Sequence, residues 1–370
     1  MNIGIVGLGG AGRAHIRRFR RNPAVTEIFG YDPKYPHSGV DGVQLLPSLD
    51  ALLKEVDAVS ICTPDHQHYS DICDCLQAKV HVLVEKPMVA SLEDALKLAD
   101  VLKKSPGLVF GVHHQMRHTP AFRRAYELIR DGTLGQVFYI ESNYWHDMKP
   151  RNAMYDDWRI TDGQSLIYGH ACHTFDLIMN LVGSAPTDHH TLLSGPDTRH
   201  GYTSATTIFS FGPGVTAKSH VNSDCVYPQL NDLVVLGSKA SYVDGVLYRS
   251  GKFTQESDFF GAGDRRLGLN VVSIRIPQRL IAFCFKSYLA VFNWISNRLM
   301  SNPDFGFRRF PLTAYNHDSA CQAIVDNFVD SVRGDAAVLV GYEDAVRVIE
   351  LCERAEQDGL QRRSTPGAVA

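Results

Sequence analysis

The fold is decided near the start of the chain, by residues 3–12 with the sequence IGIVGLGGAG. A short apolar run is followed there by a turn in the spacing G-x-G-x-x-G. The first glycine permits a tight turn, the second lets the backbone approach a pyrophosphate, and the third lets the next helix pack closely on the strand. The helix N-terminus offers amide donors to the phosphates. We therefore predict a strand–turn–helix unit that binds a dinucleotide through Gly7, Gly9, Gly10, Ala11 and Gly12.

An acidic residue stands where such a unit usually places one. Asp32 ends the second predicted strand, twenty positions after Gly12, where its carboxylate can accept hydrogen bonds from both ribose hydroxyls. The same charge repels a 2′-phosphate, although Lys34 lies nearby. We predict NAD as the cofactor, in preference to NADP.

The first hundred or so residues alternate short β-branched runs with longer amphipathic ones, which is typical of a parallel sheet with crossover helices. Ser48 is a predicted N-cap, and Ser91 with Asp94 forms a predicted capping box. Strands are predicted at residues 3–6, 25–31, 58–62, 80–84 and 108–112.

The pattern changes at Thr119 and Pro120, which are predicted to start a helix that ends at Gly132. Residues 136–145 then alternate, and 204–211 are predicted to pair with 215–221 as a hairpin. We predict an α/β Rossmann domain over residues 1–118. An α+β domain with a mostly antiparallel sheet and helices follows over residues 119–370.

Composition excludes two classes of partner. With 370 residues the chain exceeds what one compact core usually organises. A net charge of −3 offers no basic field to nucleic acid, and no apolar run is long enough to predict a spanning helix. Eight cysteines without a CxxC pair or a secretory leader indicate a reducing, cytoplasmic compartment. Cys73 and Cys75 lack the spacing of a zinc site.

Three further segments resemble signatures of one family. Residues 62–68, CTPDHQH, are similar to a strand-end T-P-N-x-x-H motif, and residues 84–87, VEKP, match an E-K-P signature. Residues 169–176, GHACHTFD, resemble a G-x-H-x-x-D helix. Together with the glycine turn, these are motifs of the glucose-fructose oxidoreductase/inositol dehydrogenase (Gfo/Idh/MocA) family. The resemblance extends over most of the chain, through Gly111, residues 117–120, Trp158, Arg159 and residues 343–345.

The resemblance implies a Rossmann domain and an open-faced sheet domain, with NAD or NADP bound and a sugar, nucleotide-sugar or inositol oxidised or reduced. It implies homo-dimers or homo-tetramers built through the sheet. It also implies that Lys86 and His173 carry the chemistry. Further cofactor contacts are predicted from Thr63, Pro64, His68, Glu85, Lys86, Trp158 and Arg159.

The residue types support these roles. Removal of a hydride from a secondary alcohol leaves an oxygen that must lose its proton, and the imidazole of His173 is a suitable base near neutral pH. Lys86, at the carboxyl edge of a parallel strand, can hold the hydroxyl and stabilise the developing alkoxide. Asp176 lies one helical turn beyond His173 and can orient its imidazole. We predict these three residues as catalytic.

The chain departs from the family pattern at Gly169. Many members carry an acid there, four residues before the motif histidine, so one proton-handling carboxylate is missing or is replaced by Tyr168 or His170. Metal binding by the histidines of this helix is not expected, because two hydrogen-bonded histidines explain the same pattern. Residues 113 and 114 are also histidines, and one of them is predicted to reach the cleft.

Substrate contacts are predicted from the placement of residues in cleft segments. Arginines there suit an acidic or phosphorylated substrate. The predicted contacts are Arg117, Tyr144, Tyr168 and His170, together with Trp158 and Arg159.

Residues 276–299 form an apolar stretch that contains basic but no acidic residues. At 100° per residue its polar side chains fall on one narrow face of a helix, opposite a broad aromatic face. A buried core or subunit-interface helix is the favoured interpretation. The alternatives are contact with an anionic membrane surface and an active-site lid.

Three function classes follow from these observations. The leading one is an NAD-dependent oxidoreductase that moves a hydride to or from a secondary alcohol of a sugar-like substrate. The second is an NAD-using glycoside hydrolase that oxidises its substrate only transiently. The third is a catalytically silent NAD-binding sensor, which the glycine at position 169 keeps open.

Overall fold

Two β-sheets organise the protein. The computed structural model describes residues 1–34, 42–148, 165–195, 202–212, 214–225, 229–243, 245–249, 252–257 and 312–364. Trp158, Arg159 and the apolar segment 276–299 lie outside the described residues.

The first sheet has six parallel strands in the order β3-β2-β1-β4-β5-β6. Its strands are β1 (Asn2–Val6), β2 (Glu27–Tyr31), β3 (Gln44–Leu45), β4 (Ala58–Ile61), β5 (His81–Val84) and β6 (Phe110–Val112). The helices between them are α1 (Gly10–Phe19), α2 (Leu49–Leu52), α3 (His68–Gln77) and α4 (Leu92–Lys103). All five predicted strands are confirmed. The two residues of β3 are too few to show a pattern in sequence.

The predicted helix starts in this half are also confirmed. The Ser48 hydroxyl accepts a hydrogen bond from the Ala51 amide, and the Ser91 hydroxyl accepts one from the Asp94 amide, each 3.1 Å long. Both bonds satisfy amides that the helix itself leaves unpaired.

The second sheet has eight strands in the order β14-β13-β12-β11-β7-β10-β9-β8. Its strands are β7 (Val137–His146), β8 (Asp188–Ser194), β9 (Ser204–Ser210), β10 (Thr216–Asn222), β11 (Gln229–Gly237), β12 (Ala240–Val243), β13 (Val246–Arg249) and β14 (Lys252–Ser257). Among the described strands of this second sheet, only β7 and β10 pair in parallel, so the sheet is mostly antiparallel as predicted. The predicted hairpin is β9 with β10.

Helices cover one face of this second sheet. They are α5 (Pro120–Arg130), α6 (Cys172–Val182) and α8 (Tyr342–Ser364), and a π-helical turn, Ile167–Ala171, runs directly into α6. The remaining helix, α7 (Leu312–Val332), packs against the first sheet instead. Phe175 of α6 is fully buried and packs edge-on against Phe209 of β9, with ring centroids 5.1 Å apart. This packing fixes the face of α6 that carries His173 and Asp176.

The chain returns to the first sheet after completing the second. Ile324 and Phe328 of α7 share an apolar core with Ile3 of β1 and Ile16 of α1. The domain boundary near residue 118 stays a prediction. No helix in the described part of the chain is both long and apolar enough to cross a membrane.

Candidate active site

The glycine turn is shaped by contacts that only glycine allows. Gly7 has a φ of +89°, and a Cβ atom on Gly12 would lie 1.9 Å from the Gly7 carbonyl oxygen. By contrast, a Cβ atom on Gly9 or Gly10 would meet no atom of the described residues within 4 Å. No side chain in the described part of the chain caps the first turn of α1. Open space beside uncapped helix amides fits a pyrophosphate.

Asp32 closes the same turn from the end of β2. One carboxylate oxygen accepts a hydrogen bond of 2.6 Å from the Leu8 amide, and the other accepts one of 2.8 Å from the Lys34 amide. The carboxylate is therefore held against the glycine turn. A carboxylate at this place is the kind of group that accepts hydrogen bonds from ribose hydroxyls.

The segment after β4 holds itself together. Thr63 donates its hydroxyl proton to Asp71 over 2.6 Å. His68 is buried, and its two ring nitrogens lie 2.9 Å from the Pro87 carbonyl oxygen and 3.0 Å from the Thr63 carbonyl oxygen. Both nitrogens of His68 are thus engaged, so the predicted cofactor contact is replaced by a bracing role between two loops. Pro64 precedes the short helical turn at Asp65–Gln67.

Lys86 follows β5 and reaches across to the second domain. Its ammonium group donates a hydrogen bond of 2.8 Å to the Gly169 carbonyl oxygen. Gly169 lies inside the π-helical turn, a distortion that occurs often at functional sites. The residue that breaks the family pattern therefore contacts the predicted catalytic lysine through its backbone.

Glu85 anchors the backbone beside Lys86. Its Oε1 atom lies 2.9 Å from His15 Nε2 and 3.2 Å from His113 Nδ1, and its Oε2 atom accepts from the Lys86 amide over 3.2 Å. Burial by itself raises the pKa of this carboxyl, but His113 and His15 outweigh it and hold the pKa well below its usual range. Glu85 is therefore ionised and engaged by several partners.

His173 lies at the centre of an aromatic cluster. It is 3% exposed, and its Nδ1 atom has no hydrogen-bond partner within the described parts of the chain. Its ring centroid is 5.5 Å from that of Tyr144 and 6.4 Å from that of His114, while Tyr144 is 5.4 Å from His170. Burial first, and the Lys86 cation second, hold the pKa of His173 well below its usual value. The imidazole is therefore neutral.

Asp176 does not orient His173 as predicted. Its carboxylate instead forms a two-point salt bridge with Arg117, with nitrogen–oxygen distances of 2.7 and 2.5 Å. A third guanidinium nitrogen of Arg117 lies 3.4 Å from Asp344. Since these carboxylates engage the fork of Arg117, the predicted substrate contact is replaced by a structural bridge between the two halves of the site. His114 Nδ1 lies 3.9 Å from the same Asp176 carboxylate.

Tyr168 also has a different role from the predicted one. It is buried, and its hydroxyl donates a 2.5 Å hydrogen bond to Glu353 of α8. Because its hydroxyl is bonded to Glu353, Tyr168 is not placed to contact a substrate or to replace the missing acid. Tyr144 and His170 remain in the cluster around His173 and stay predicted substrate contacts.

Sequence reasoning missed two contributors. In sequence, His15 is only a polar residue of the predicted helix α1. Its position stands out once the structure shows that this face of α1 is buried. The Gly169 carbonyl gave none, because a backbone group has no residue type. His114 is the member of the histidine pair that reaches the cluster.

Comparisons with known proteins agree with this architecture. The family model described as "Oxidoreductase family, NAD-binding Rossmann fold" matches residues 1–114, and the "GFO/IDH/MocA C-terminal domain" model matches residues 122–243. The crystal structure of myo-inositol 2-dehydrogenase from Lactobacillus plantarum superposes with a TM-score of 0.72, covering 98% of each chain at 17% identity. That likeness concerns the fold.

Two relatives match about half of the sequence. UDP-N-acetylglucosamine 3-dehydrogenase of Acidithiobacillus ferrooxidans is 31% identical over 51% of this chain and 56% of its own. The 2,7-anhydro-N-acetylneuraminate hydratase of Escherichia coli is 30% identical over 50% of each chain. The chain thus spans about half the length of the curated relatives that it matches. On the family models, the chain belongs to the GFO/IDH/MocA oxidoreductase family and carries its NAD-binding Rossmann fold.

Proposed function

We propose that this protein is an NAD-dependent oxidoreductase that transfers a hydride between the nicotinamide and a secondary alcohol or ketone of a sugar, nucleotide-sugar or inositol. The observation that carries the proposal is the pairing of a held ammonium, Lys86, with a buried neutral imidazole, His173. The first suits a developing alkoxide, and the second suits the proton that the alcohol must lose.

The division of labour follows from the charges of these groups. Lys86 holds the hydroxyl oxygen and favours its negative charge as the proton departs. His173 accepts that proton at a ring nitrogen, and it donates the proton back when a ketone is reduced. Gly9, Gly10 and Asp32 would hold NAD, which would supply the acceptor for the hydride. Burial of His173 keeps its imidazole neutral and ready to act as a base.

Gly169 fits this scheme without a carboxylate. Its carbonyl oxygen accepts from the Lys86 ammonium at 2.8 Å, and so supplies the acceptor that an acid at this position would supply. A carbonyl cannot carry a proton away, so the proton of the substrate hydroxyl must leave through His173. This contact favours an active enzyme over a silent sensor.

The first experiment is an absorbance screen at the reduced-nicotinamide band with sugars, inositols and nucleotide-sugars. Lys86→Ala and His173→Ala are compared with the wild type, and the loss in kcat is expected to be about 10²–10⁴-fold in each. Lys103→Ala, at an exposed residue of α4, serves as a control variant outside the cluster. Wild-type turnover that survives in both cluster variants would overturn the assignment.

A second candidate is supported by the hydratase among the relatives. This candidate is the NAD-using glycoside hydrolase, in which the substrate would be oxidised and re-reduced within one cycle. Lys86 and His173 would keep their roles as hydroxyl holder and proton carrier. Product formation from a glycoside or anhydro-sugar without net NADH would favour this candidate, and accumulation of NADH would favour the dehydrogenase.

Finer features are part of the same proposal. NAD is preferred over NADP because of the Asp32 carboxylate at the glycine turn. Trp158 and Arg159 stay predicted contacts. We place the protein in the cytoplasm and infer a homo-oligomer built on the open face of the second sheet. Leu192 and Ile208 are about half exposed there, and light scattering on Ile208→Glu would give a smaller particle than the wild type.

A further inference from the structure

A buried polar chain links α1 to the catalytic lysine. His15 is fully buried on α1, and its Nδ1 atom lies 2.8 Å from the Ser60 hydroxyl of β4. Its Nε2 atom lies 2.9 Å from Glu85 Oε1. The other Glu85 oxygen accepts from the Lys86 amide. One imidazole therefore links Ser60 of β4 to Glu85, the residue directly after β5, whose carboxylate holds the lysine backbone.

The same helix begins at the glycine turn. Gly12 packs so closely on the Gly7 carbonyl that α1 has little freedom to shift relative to the turn. His15 follows Gly12 by less than one helical turn. A rigid path thus runs from the predicted pyrophosphate site through His15 and Glu85 to Lys86.

We propose that His15 is a positioning residue for Lys86. It fixes the Glu85 carboxylate, which in turn holds the Lys86 backbone. The position of α1, the helix predicted to bind the pyrophosphate, therefore sets the position of Lys86. The inference rests on the proposed function, because it concerns the lysine assigned there to the substrate hydroxyl. His15 itself contacts neither of the groups that react.

The same atoms raise the question of a metal. Donor atoms of His15, Glu85 and His113 all lie within 4.8 Å of one another. However, both nitrogens of His15 already have partners at hydrogen-bond distance, and a carboxylate between two imidazoles needs no ion to be satisfied. A positioning network is therefore the interpretation that we develop, and a bound divalent cation is an outcome of its test.

Two substitutions of His15 separate its two contacts. The amide of His15→Gln extends as far as Nε2 and can still donate to Glu85, whereas that of His15→Asn extends only as far as Nδ1 and keeps Ser60 alone. We expect His15→Asn to lower kcat by about 10–100-fold, as for other groups that orient a reacting residue. His15→Gln should stay within about threefold of the wild type. NAD affinity and thermal stability should be similar in the two variants.

A measurement that needs neither cofactor nor substrate separates failure of this positioning proposal from failure of the proposed function. The labelling rate of the Lys86 amine by an amine-reactive reagent, followed by peptide mass spectrometry, reports how firmly the lysine is held. We expect at least about threefold faster labelling in His15→Asn than in His15→Gln, because the anchored state opens more often. This difference can appear even if the substrate screen is silent.

Equal kcat and equal labelling in the two variants would overturn the proposal. So would wild-type protein that holds stoichiometric Zn²⁺ by elemental analysis and loses it in both variants, because the cluster would then be a metal site. A large loss of thermal stability in His15→Asn but not in His15→Gln would assign the residue to packing alone.

Discussion

The glycine turn and the histidine cluster are assembled in different ways. The turn comes from six consecutive residues whose shape depends on missing Cβ atoms, with one carboxylate from the next strand. The cluster comes from β7, the end of β6 and the helix that follows the π-helical turn, with Lys86 reaching it from β5. The cofactor end is therefore a local structure, and the substrate end is a tertiary one. Substitutions at the two ends should therefore differ in how much stability or affinity they remove.

The largest effect is expected where tertiary contacts hold the substrate end. Arg117→Met would leave the Asp176 carboxylate, 1% exposed, without its cation. Breaking a buried pair in this way costs about 3–5 kcal/mol of unfolding free energy. Chemical denaturation measures it.

The control for this prediction is the double variant Arg117→Met with Asp176→Leu. Removal of both charges leaves no buried unpaired carboxylate, and Asp344, which also loses Arg117, is 35% exposed and can be solvated, so this variant should recover much of the lost stability. A single variant as stable as the wild type would show that the bridge does not hold the two halves of the site together.

A smaller effect is expected at the glycine turn. Gly12→Ala places a methyl group 1.9 Å from the Gly7 carbonyl oxygen, so the turn must move at a cost of about 1–3 kcal/mol. Gly9→Ala is the matched control, because its methyl group meets no atom within 4 Å. Gly9→Ala should keep the stability of the wild type but lose NAD affinity, measured by calorimetry. Unchanged NAD affinity would place the pyrophosphate elsewhere.

The cofactor preference tests whether the charge of Asp32 selects NAD over NADP. Asp32→Asn keeps the shape of the side chain but removes its charge, so the ratio of kcat/KM for NAD over NADP should fall by about tenfold, or 1.4 kcal/mol. Lys34→Ala is the companion variant and should shift the ratio in the opposite direction if its ammonium favours NADP. A ratio that does not change in Asp32→Asn would remove the basis for the NAD preference.

The smallest predicted change is in a proton equilibrium. Burial and the Lys86 cation depress the pKa of His173, so its imidazole should stay neutral as the pH falls to about 6.5 and below. Lys86→Met removes the cation and should raise the pKa of His173 toward its ordinary value. Histidine ring NMR titrations of both proteins measure this, and a wild-type His173 that protonates near pH 6.5 would contradict it.

The sequence by itself determined the local features of this protein. Five strands of the first sheet, the caps at Ser48 and Ser91 and the hairpin of β9 and β10 follow from spacing and residue type alone, because each depends on neighbours in sequence. The glycine turn and Asp32 belong to the same group. Short-range sterics and hydrogen bonding leave such segments few alternatives.

Only the tertiary structure decided the partners of buried polar groups. Arg117 and Asp176 are far apart in sequence, and so are Tyr168 and Glu353, and no periodicity predicts either pair. The Lys86 ammonium donates a hydrogen bond to the backbone carbonyl of Gly169, at a position where the family pattern predicts an acid. The physical reason is that a buried charge or hydroxyl must pair with whatever the packed fold brings within about 3 Å. That choice is made by helix and sheet packing rather than by residues adjacent in the chain.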